Sequence, residues 1–190
     1  MPIVLYLGLN VKDYEEKSEG IITQAISGGR LRCALCLKPM KVHSSYTRTI
    51  KETGEPITIT VVWCRKCRKW HALLPDFLLS HKHYSGNEIE AVVIDSKAMP
   101  VSHIETKASE PTARRWIKQM GERIKQAASK LRYHFLKAGH AVSEIKIDAG
   151  HCYDELEQIL DFAPGPAKYS GNKLGLANIW LGATEAPGFI

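Results

Sequence analysis

The sequence has 190 residues, a formal net charge of +6 and five cysteines. A chain of this length can bury at least one core and falls in the range of one to two domains. It has no apolar run of about 18 residues, which excludes a membrane-spanning helix, and its start is too briefly apolar for a secretory signal. We therefore expect a soluble, cytoplasmic protein in a reducing compartment, where paired cysteines are more often metal ligands than disulfides.

Basic residues are concentrated in two segments. Residues 33–71 carry a net charge of +6 and residues 111–137 carry +7, so the rest of the chain sums to −7. Such segregation is typical of a surface that binds a polyanion, because Lys and Arg side chains that neutralise phosphates release condensed counterions. Two solvated basic faces without a partner would give the same pattern.

After a predicted N-terminal strand, two cysteine pairs share one spacing, CALC (Cys33, Cys36) and CRKC (Cys64, Cys67). A C-x-x-C turn places two sulfurs at neighbouring corners of a tetrahedron, so two such turns can complete the shell of one Zn²⁺ ion. Between them, β-branched and aromatic residues flank the turn signals of ETGEP, which predicts a hairpin. Residues 1–76 are therefore interpreted as a strand and a zinc ribbon with one structural, coordinatively closed ion. A redox pair is the alternative, but two copies around a hairpin are not the thioredoxin arrangement.

The second pair lies in a basic and aromatic stretch, RKCRKWH. Such cations can bind phosphates, and such rings can stack on bases. The candidate DNA contacts here are Arg65, Lys66, Arg68 and Lys69, with Trp70 and His71 beside them. The alternative is that Trp70 packs under the ribbon while the cations are merely solvated.

A helix is predicted to begin at Ser85, because Ser85 and Glu88 form a capping box and Ile89, Val92 and Val93 fall on one helical face. His81 and His83 precede it. An H-x-H pair can ligate a metal, but no other ligand stands at a suitable spacing, which favours surface or phosphate-contacting histidines.

Residues 77–138 are interpreted as a helix-turn-helix that continues into a long basic helix. Ser102 and Glu105 form a second capping box for a short helix, and Ser109 can cap the next helix, with Pro111 tolerated in its first turn. Arg side chains at the start of such a helix can read guanine in the major groove. The candidate contacts are Ser109, Glu110, Thr112, Arg114, Arg115 and Lys118. An ordinary helical hairpin with a basic solvent face is the alternative.

From Trp116 onward a helical stripe of apolar residues predicts core packing: Ile117, Met120, Ile124, Ala127, Ala128, Leu131 and Phe135. Because Ile117, Ile124 and Leu131 are seven apart, a dimer seam is the alternative. Gly121 is a candidate break between two helices. Residues 139–190 are predicted to form a small C-terminal helical region, with an acidic helix from about His151 to Phe162 and a last helix around Leu174 to Leu181. The fold class is therefore α+β.

Taken with these features, the chain resembles the zinc-ribbon and helix-turn-helix module that precedes bacterial insertion-sequence transposases and occurs in related short uncharacterised proteins. The resemblance rests on the two cysteine pairs, on HALLPDFLLSHKHYS and on SEPTARRW, and covers roughly residues 30–120. It implies sequence-recognising DNA binding by mobile-element proteins or by regulators derived from them.

A transposase also needs widely spaced carboxylates on a sheet to hold two Mg²⁺ ions. Here the acidic residues from Asp148 to Asp161 crowd one short region without a strand pattern, so we expect no enzymatic activity. The prediction is a nucleoid-associated, zinc-containing protein that binds double-stranded DNA, acting alone, as a homodimer or with a transposase partner. The alternative is a zinc-ribbon adaptor that binds RNA or a protein such as a transposase or a polymerase.

Overall fold

The computed structural model of the protein describes residues 2–139, 151–162 and 172–183. Helices and strands both contribute, which confirms the predicted α+β class. In chain order, the elements are β1 Ile3–Leu5, α1 Val11–Ser27, β2 Lys41–Thr49, β3 Pro56–Cys64, β4 Lys69–Pro75, α2 Gly86–Asp95, α3 Glu110–Lys137, α4 Cys152–Asp161 and α5 Lys173–Ala183, with a 3-10 turn at Val101–His103. None of these helices is long and apolar enough to cross a membrane.

The four strands form one sheet in the order β1-β4-β3-β2. β2, β3 and β4 pair antiparallel, whereas β1 adds to the edge parallel to β4. The predicted hairpin is formed by β2 and β3, and Gly54 in its turn has a φ of +75°, a conformation that glycine adopts without steric cost. β1 is the predicted N-terminal strand, whereas β4 was not predicted from the sequence.

Helix α1 was not predicted from the sequence. Asn10 caps its N-terminus by accepting a hydrogen bond from the Asp13 N–H, at 2.8 Å. The buried residues of this helix are Tyr14, Ser18 and Ile22. They are four residues apart, so they form a single row along one face of the helix. Since this apolar stripe is only one residue wide and includes a serine, the periodicity that marks an amphipathic helix is weak here.

The remaining helices pack on one another in a separate core. Helix α2 begins as predicted, because the Ser85 hydroxyl accepts a hydrogen bond from the Glu88 N–H. Helices α4 and α5 also lie where the sequence predicts them. The whole apolar stripe of α3 except Ile117 is buried in this core, which it shares with α2, α4 and α5. Ile124 and Leu131 are therefore core residues of this chain, as the favoured interpretation of the stripe predicts.

The region before α3 differs from the prediction. The short helix expected at Ser102–Glu105 is a single 3-10 turn at Val101–His103, so Ser102 lies inside that turn and does not cap a helix. The Ser109 hydroxyl lies against the Thr112 hydroxyl, at 2.9 Å, and makes no capping hydrogen bond to a backbone N–H. Helix α3 runs unbroken through Gly121. A helix-turn-helix is thus not confirmed. Residues 140–150, at the start of the predicted C-terminal helical region, lie outside the described residues.

Candidate metal centre

The two cysteine pairs form similar turns at one end of the sheet. In the first, the Cys33 N–H donates to the Lys38 carbonyl and the Leu37 N–H donates to the Cys33 carbonyl. The second turn joins the end of β3 at Cys64 to the start of β4 at Lys69. The residue after the second cysteine has a positive φ in both turns, +56° at Leu37 and +51° at Arg68.

The four sulfur atoms lie close together. The Sγ atoms of Cys36 and Cys64 are 3.5 Å apart, those of Cys33 and Cys67 are 3.9 Å apart, and all four lie within 4.8 Å of one another. A tetrahedral ion with Zn–S bonds of about 2.3 Å requires sulfurs separated by about 3.8 Å. The four cysteines can therefore hold one metal ion, and this is the one metal-ligand group found among the described residues.

Backbone amides in the turns stabilise thiolates. The Leu35 N–H donates to the Cys33 Sγ at 3.4 Å. In the second turn, the Cys67 N–H donates to Cys64, which lowers the pKa of the Cys64 thiol to about 7 although burial opposes the shift. Burial raises the pKa of the Cys33 thiol. Hydrogen bonding with Cys36 raises the pKa of Cys67 in the same turn to about 12, so this turn favours the thiolate, the form that ligates a metal, at Cys64 and not at Cys67.

His71 is a residue of this centre that sequence reasoning misplaced. It was considered as a phosphate or base contact, but it is fully buried, and its Nε2 lies 3.5 Å from the Cys33 Sγ. The position on β4 explains this placement, because His71 pairs with the buried Val62 and lies on the inward face of the strand. If β4 is recognised as a strand, its alternation predicts that Trp70 and His71 point to opposite faces of the sheet. That alternation is the signal that could have identified His71 as buried.

Apolar residues close the centre on its inner side. Cys33 and Cys64 have no exposed surface, and they share a core cluster with Ile22 of α1, Met40 and Leu73. Cys36 and Cys67 are partly exposed at the outer edge. Four sulfurs would complete a tetrahedral shell and leave no coordination position for water. The arrangement therefore suits a structural ion and not a catalytic one.

The second turn carries an exposed basic surface, the knuckle surface, made of Arg65, Lys66, Arg68 and Lys69. All four side chains are exposed, and none forms an ion pair with a carboxylate among the described residues. Trp70 beside them is 58% exposed, so it does not pack under the sheet as the alternative interpretation supposed.

Trp70 belongs to an aromatic group that crosses three strands. Its ring centroid lies 5.2 Å from that of Trp63 on β3 and 5.6 Å from that of His43 on β2. Flat rings on an open sheet face offer a stacking surface for bases or for the side chains of a partner.

The candidate contacts on α3 occupy the opposite end of the β2–β3 hairpin. Ser109, Glu110, Arg114, Arg115 and Lys118 are exposed and Thr112 is partly exposed. Arg114 pairs with Glu110 one turn earlier, at 2.5 Å, whereas Arg115 turns toward a cleft that also contains Lys51 from the hairpin turn. The nine residues of β2 span about 27 Å, and the knuckle surface and Lys51 lie beyond its two ends.

These features define a class of protein, namely a small α+β protein whose sheet ends in a four-cysteine centre able to hold one metal ion. A family model described as a domain of unknown function (DUF6431) matches residues 33–116, which include both cysteine pairs, α2 and the first turns of α3. No curated protein and no solved structure matches the chain. The family description assigns no activity, so the resemblance to the transposase module stays a prediction.

Proposed function

We propose that the protein is a zinc-containing DNA-binding protein, associated with or derived from mobile elements, without a catalytic domain of its own. The observation that carries the proposal is the position of the knuckle surface: the turn that supplies Cys64 and Cys67 also presents Arg65, Lys66, Arg68 and Lys69 without carboxylate partners. The ion that closes the sulfur cluster would fix this turn and, with it, the arrangement of four positive charges.

The ligand set supports zinc as the ion. Four thiolates select soft or borderline metals, and Zn²⁺ takes a tetrahedral shell without a preference imposed by d-electrons. A shell of this kind contributes on the order of 10 kcal/mol to the folding of small ribbons at neutral pH. The partly exposed Cys36 and Cys67 give an ion a path into the site.

Unpaired cations support DNA as the partner. An exposed Lys or Arg beside a carboxylate is already neutralised, but the four cations of the knuckle surface have no such neighbour among the described residues. Phosphates of a duplex would neutralise them and release counterions, which yields affinity that falls steeply with salt.

The metal can be tested separately from the DNA. We expect one zinc per chain by elemental analysis of protein purified without added metal, and loss of that zinc with loss of stability in Cys64→Ser. The control is Cys152→Ser, since Cys152 lies outside the sulfur cluster. Purified protein that folds without any bound metal would remove the basis of the proposal.

Duplex binding can be measured by fluorescence anisotropy with a random-sequence duplex at several salt concentrations. Lys66→Gln combined with Lys69→Gln should lower the slope of log K against log salt by about two contacts, that is by about 1.8. Lys12→Gln combined with Lys125→Gln removes the same charge from exposed positions outside the knuckle surface. Equal losses in the two double variants would show that only net charge matters and would contradict the proposed surface.

The aromatic group of His43, Trp63 and Trp70 favours a second candidate function, an adaptor that binds RNA or a protein partner. Exposed rings interleaved with cations are typical of single-strand binding, where bases stack on them. Trp70→Ala should then weaken binding to a single-stranded oligonucleotide more than to a duplex of the same length. A protein partner would instead remain bound at high salt.

A further inference from the structure

A basic cleft of about 290 Å³ lies between α3 and the loop that precedes α2. Its walls come from three separate parts of the chain: the hairpin turn, the HKH segment and the first turns of α3. The lining residues are Lys51, His81, Lys82, His83, Tyr84, Thr112, Arg115, Trp116 and Gln119. No carboxylate belongs to this lining.

The cleft is held in shape by its own contacts. The Lys51 N–H donates to the His83 carbonyl at 2.9 Å, which fixes the hairpin turn against the loop. Tyr84 and the buried Trp116 pack edge to face, with ring centroids 4.8 Å apart, and form an apolar floor. The hairpin turn and the HKH loop are thus held against each other and against α3.

Cations in the cleft repel one another. The Lys82 Nζ donates to the Gln119 Oε1 at 2.8 Å, a neutral partner that satisfies a hydrogen bond but supplies no negative charge. Burial, followed by the nearby charges of Arg123 and Arg115, lowers the pKa of Lys82. An anion placed between Lys82 and Arg115 would favour the charged form of Lys82 and offset the repulsion between the two cations.

Arg114 and Arg115 differ although they are adjacent. Arg114 is neutralised by Glu110. Arg115 lines the cleft and forms no ion pair with a carboxylate in the part of the chain that the structure describes. The helix therefore directs one charged guanidinium into a space that already contains two lysines.

We propose that this cleft is a phosphate-binding site, and that the phosphate it holds belongs to a DNA backbone. Arg115 provides a planar fork of donors, Lys51 and Lys82 provide point charges, and the Thr112 hydroxyl provides one more donor at the rim. The space exceeds a bare phosphate ion and leaves room for the adjoining sugar. The assignment of the phosphate to DNA rests on the proposed function, whereas the phosphate site itself does not.

The first test measures binding of inorganic phosphate to the full chain by isothermal titration calorimetry. We expect saturable binding that weakens at least about tenfold in Arg115→Gln and in Lys82→Gln. Arg114→Gln is the matched control, because it removes the same charge one residue away and lies outside the cleft; its affinity should equal that of the unmodified protein. A cooperative thermal melting transition is the check that each variant is folded.

The second test measures the salt dependence of binding to a random-sequence duplex. Arg115→Gln should lower the slope of log K against log salt by about 0.9, the value for one phosphate contact, whereas Lys125→Gln should not. Since Lys125 is exposed on α3 outside the cleft, it controls for the charge of the helix.

The outcomes separate the two proposals. No saturable phosphate binding, or equal losses in Arg114→Gln and Arg115→Gln, overturns the phosphate site whatever the protein does with DNA. Localised phosphate binding with an unchanged DNA slope in Arg115→Gln overturns the backbone assignment and leaves DNA binding by the knuckle surface intact. Localised phosphate binding by a protein that does not bind duplex at all supports the site and contradicts the proposed function.

Discussion

Two leucines in the first cysteine turn differ in backbone conformation but not in exposure. Leu37 has a φ of +56° and Leu35 does not share this conformation, and both side chains are more than half exposed. A left-handed conformation costs a residue with a Cβ about 1–2 kcal/mol, which glycine avoids at the expense of about 0.5–1 kcal/mol of chain entropy.

We therefore expect Leu37→Gly to raise the free energy of unfolding of the metal-loaded protein by about 0.5–1 kcal/mol. Leu35→Gly, which removes the same side chain without relieving strain, should lower it. Urea unfolding of the two variants provides the measurement. Destabilisation by both substitutions to the same extent would show that the positive φ at Leu37 carries no strain.

His71 supports the metal centre from behind the first sulfur. Because its Nε2 lies 3.5 Å from the Cys33 Sγ, a proton on that nitrogen would donate to the thiolate and orient it. His71→Phe keeps a buried ring but removes the donor, so we expect zinc affinity to fall by about 10- to 100-fold. Competition against a chromophoric chelator measures the change.

His43→Phe is the control for this substitution, since His43 is exposed and contacts Trp70 on the outer face of the sheet. Its zinc affinity should remain that of the unmodified protein. An unchanged affinity in His71→Phe would mean that the imidazole fills space and does not act on the sulfur.

At the scale of elements, α3 is a single helix of 28 residues that passes through Gly121. Nothing lies within 4 Å of a Cβ built at Gly121, so a methyl group meets no obstacle there. Gly121→Ala should stabilise the protein by about 1 kcal/mol, because alanine loses less backbone conformational entropy than glycine when the helix forms. Thermal melting should show an increase of several degrees.

At Gly139, just after the end of the same helix, we expect substitution by alanine to destabilise the protein. The φ of Gly139 is +84°, and no neighbouring atom obstructs a Cβ, so the backbone conformation alone opposes substitution. Gly139→Ala should lower the melting temperature. If Gly121→Ala lowered it as well, the helix would not be continuous through position 121.

Features that depend on one local signal could be predicted from the sequence. The hairpin strands around Gly54, the cap at Ser85 and the stripe of α3 follow from turn residues, capping and periodicity, which act within a few neighbours. The grouping of the four cysteines could also be predicted, since two C-x-x-C turns at the ends of a hairpin meet once its strands pair.

Other features depend on distant partners and could not be read locally. β4 is short, with lysine and tryptophan at its start, and becomes a strand by pairing with β3 on one side and β1 on the other. Glu88 was expected to complete the capping box, but its Oε1 accepts from the Thr106 hydroxyl and the Lys107 N–H, whereas the Ser85 N–H donates to Glu52. The cleft at Arg115 joins three segments and has no contiguous sequence signal.

For the whole molecule, the metal centre and the helices rest on different cores. Cys33 and Cys64 share a cluster with α1 and the sheet, whereas α2, α3, α4 and α5 form another around Trp116. Tryptophans report on the two regions separately: Trp63 and the exposed Trp70 lie on the open face of the sheet that ends at the cysteines, whereas Trp116 and Trp180 lie among the helices.

We expect metal removal to loosen the first core while the second stays folded. In Trp116→Phe combined with Trp180→Phe, fluorescence comes from the sheet, and chelation should shift its emission to the red. In Trp63→Phe combined with Trp70→Phe, fluorescence reports on the helices and should stay unchanged. A red shift in both variants would mean that the two cores unfold together.

β1 and α1 lie outside the segment that the family model matches, yet they cover one side of the cysteine centre. Ile3, Leu5, Ile22 and Ala25 pack against residues of that segment, including Val62 and Leu73. A peptide cut to residues 33–116 would lack these four residues, so Val62 and Leu73 would lose their cover and face water, and the peptide would end after two turns of α3. Such a fragment should bind an amphiphilic dye and aggregate, so we expect residues 33–116 to need β1 and α1 in order to fold.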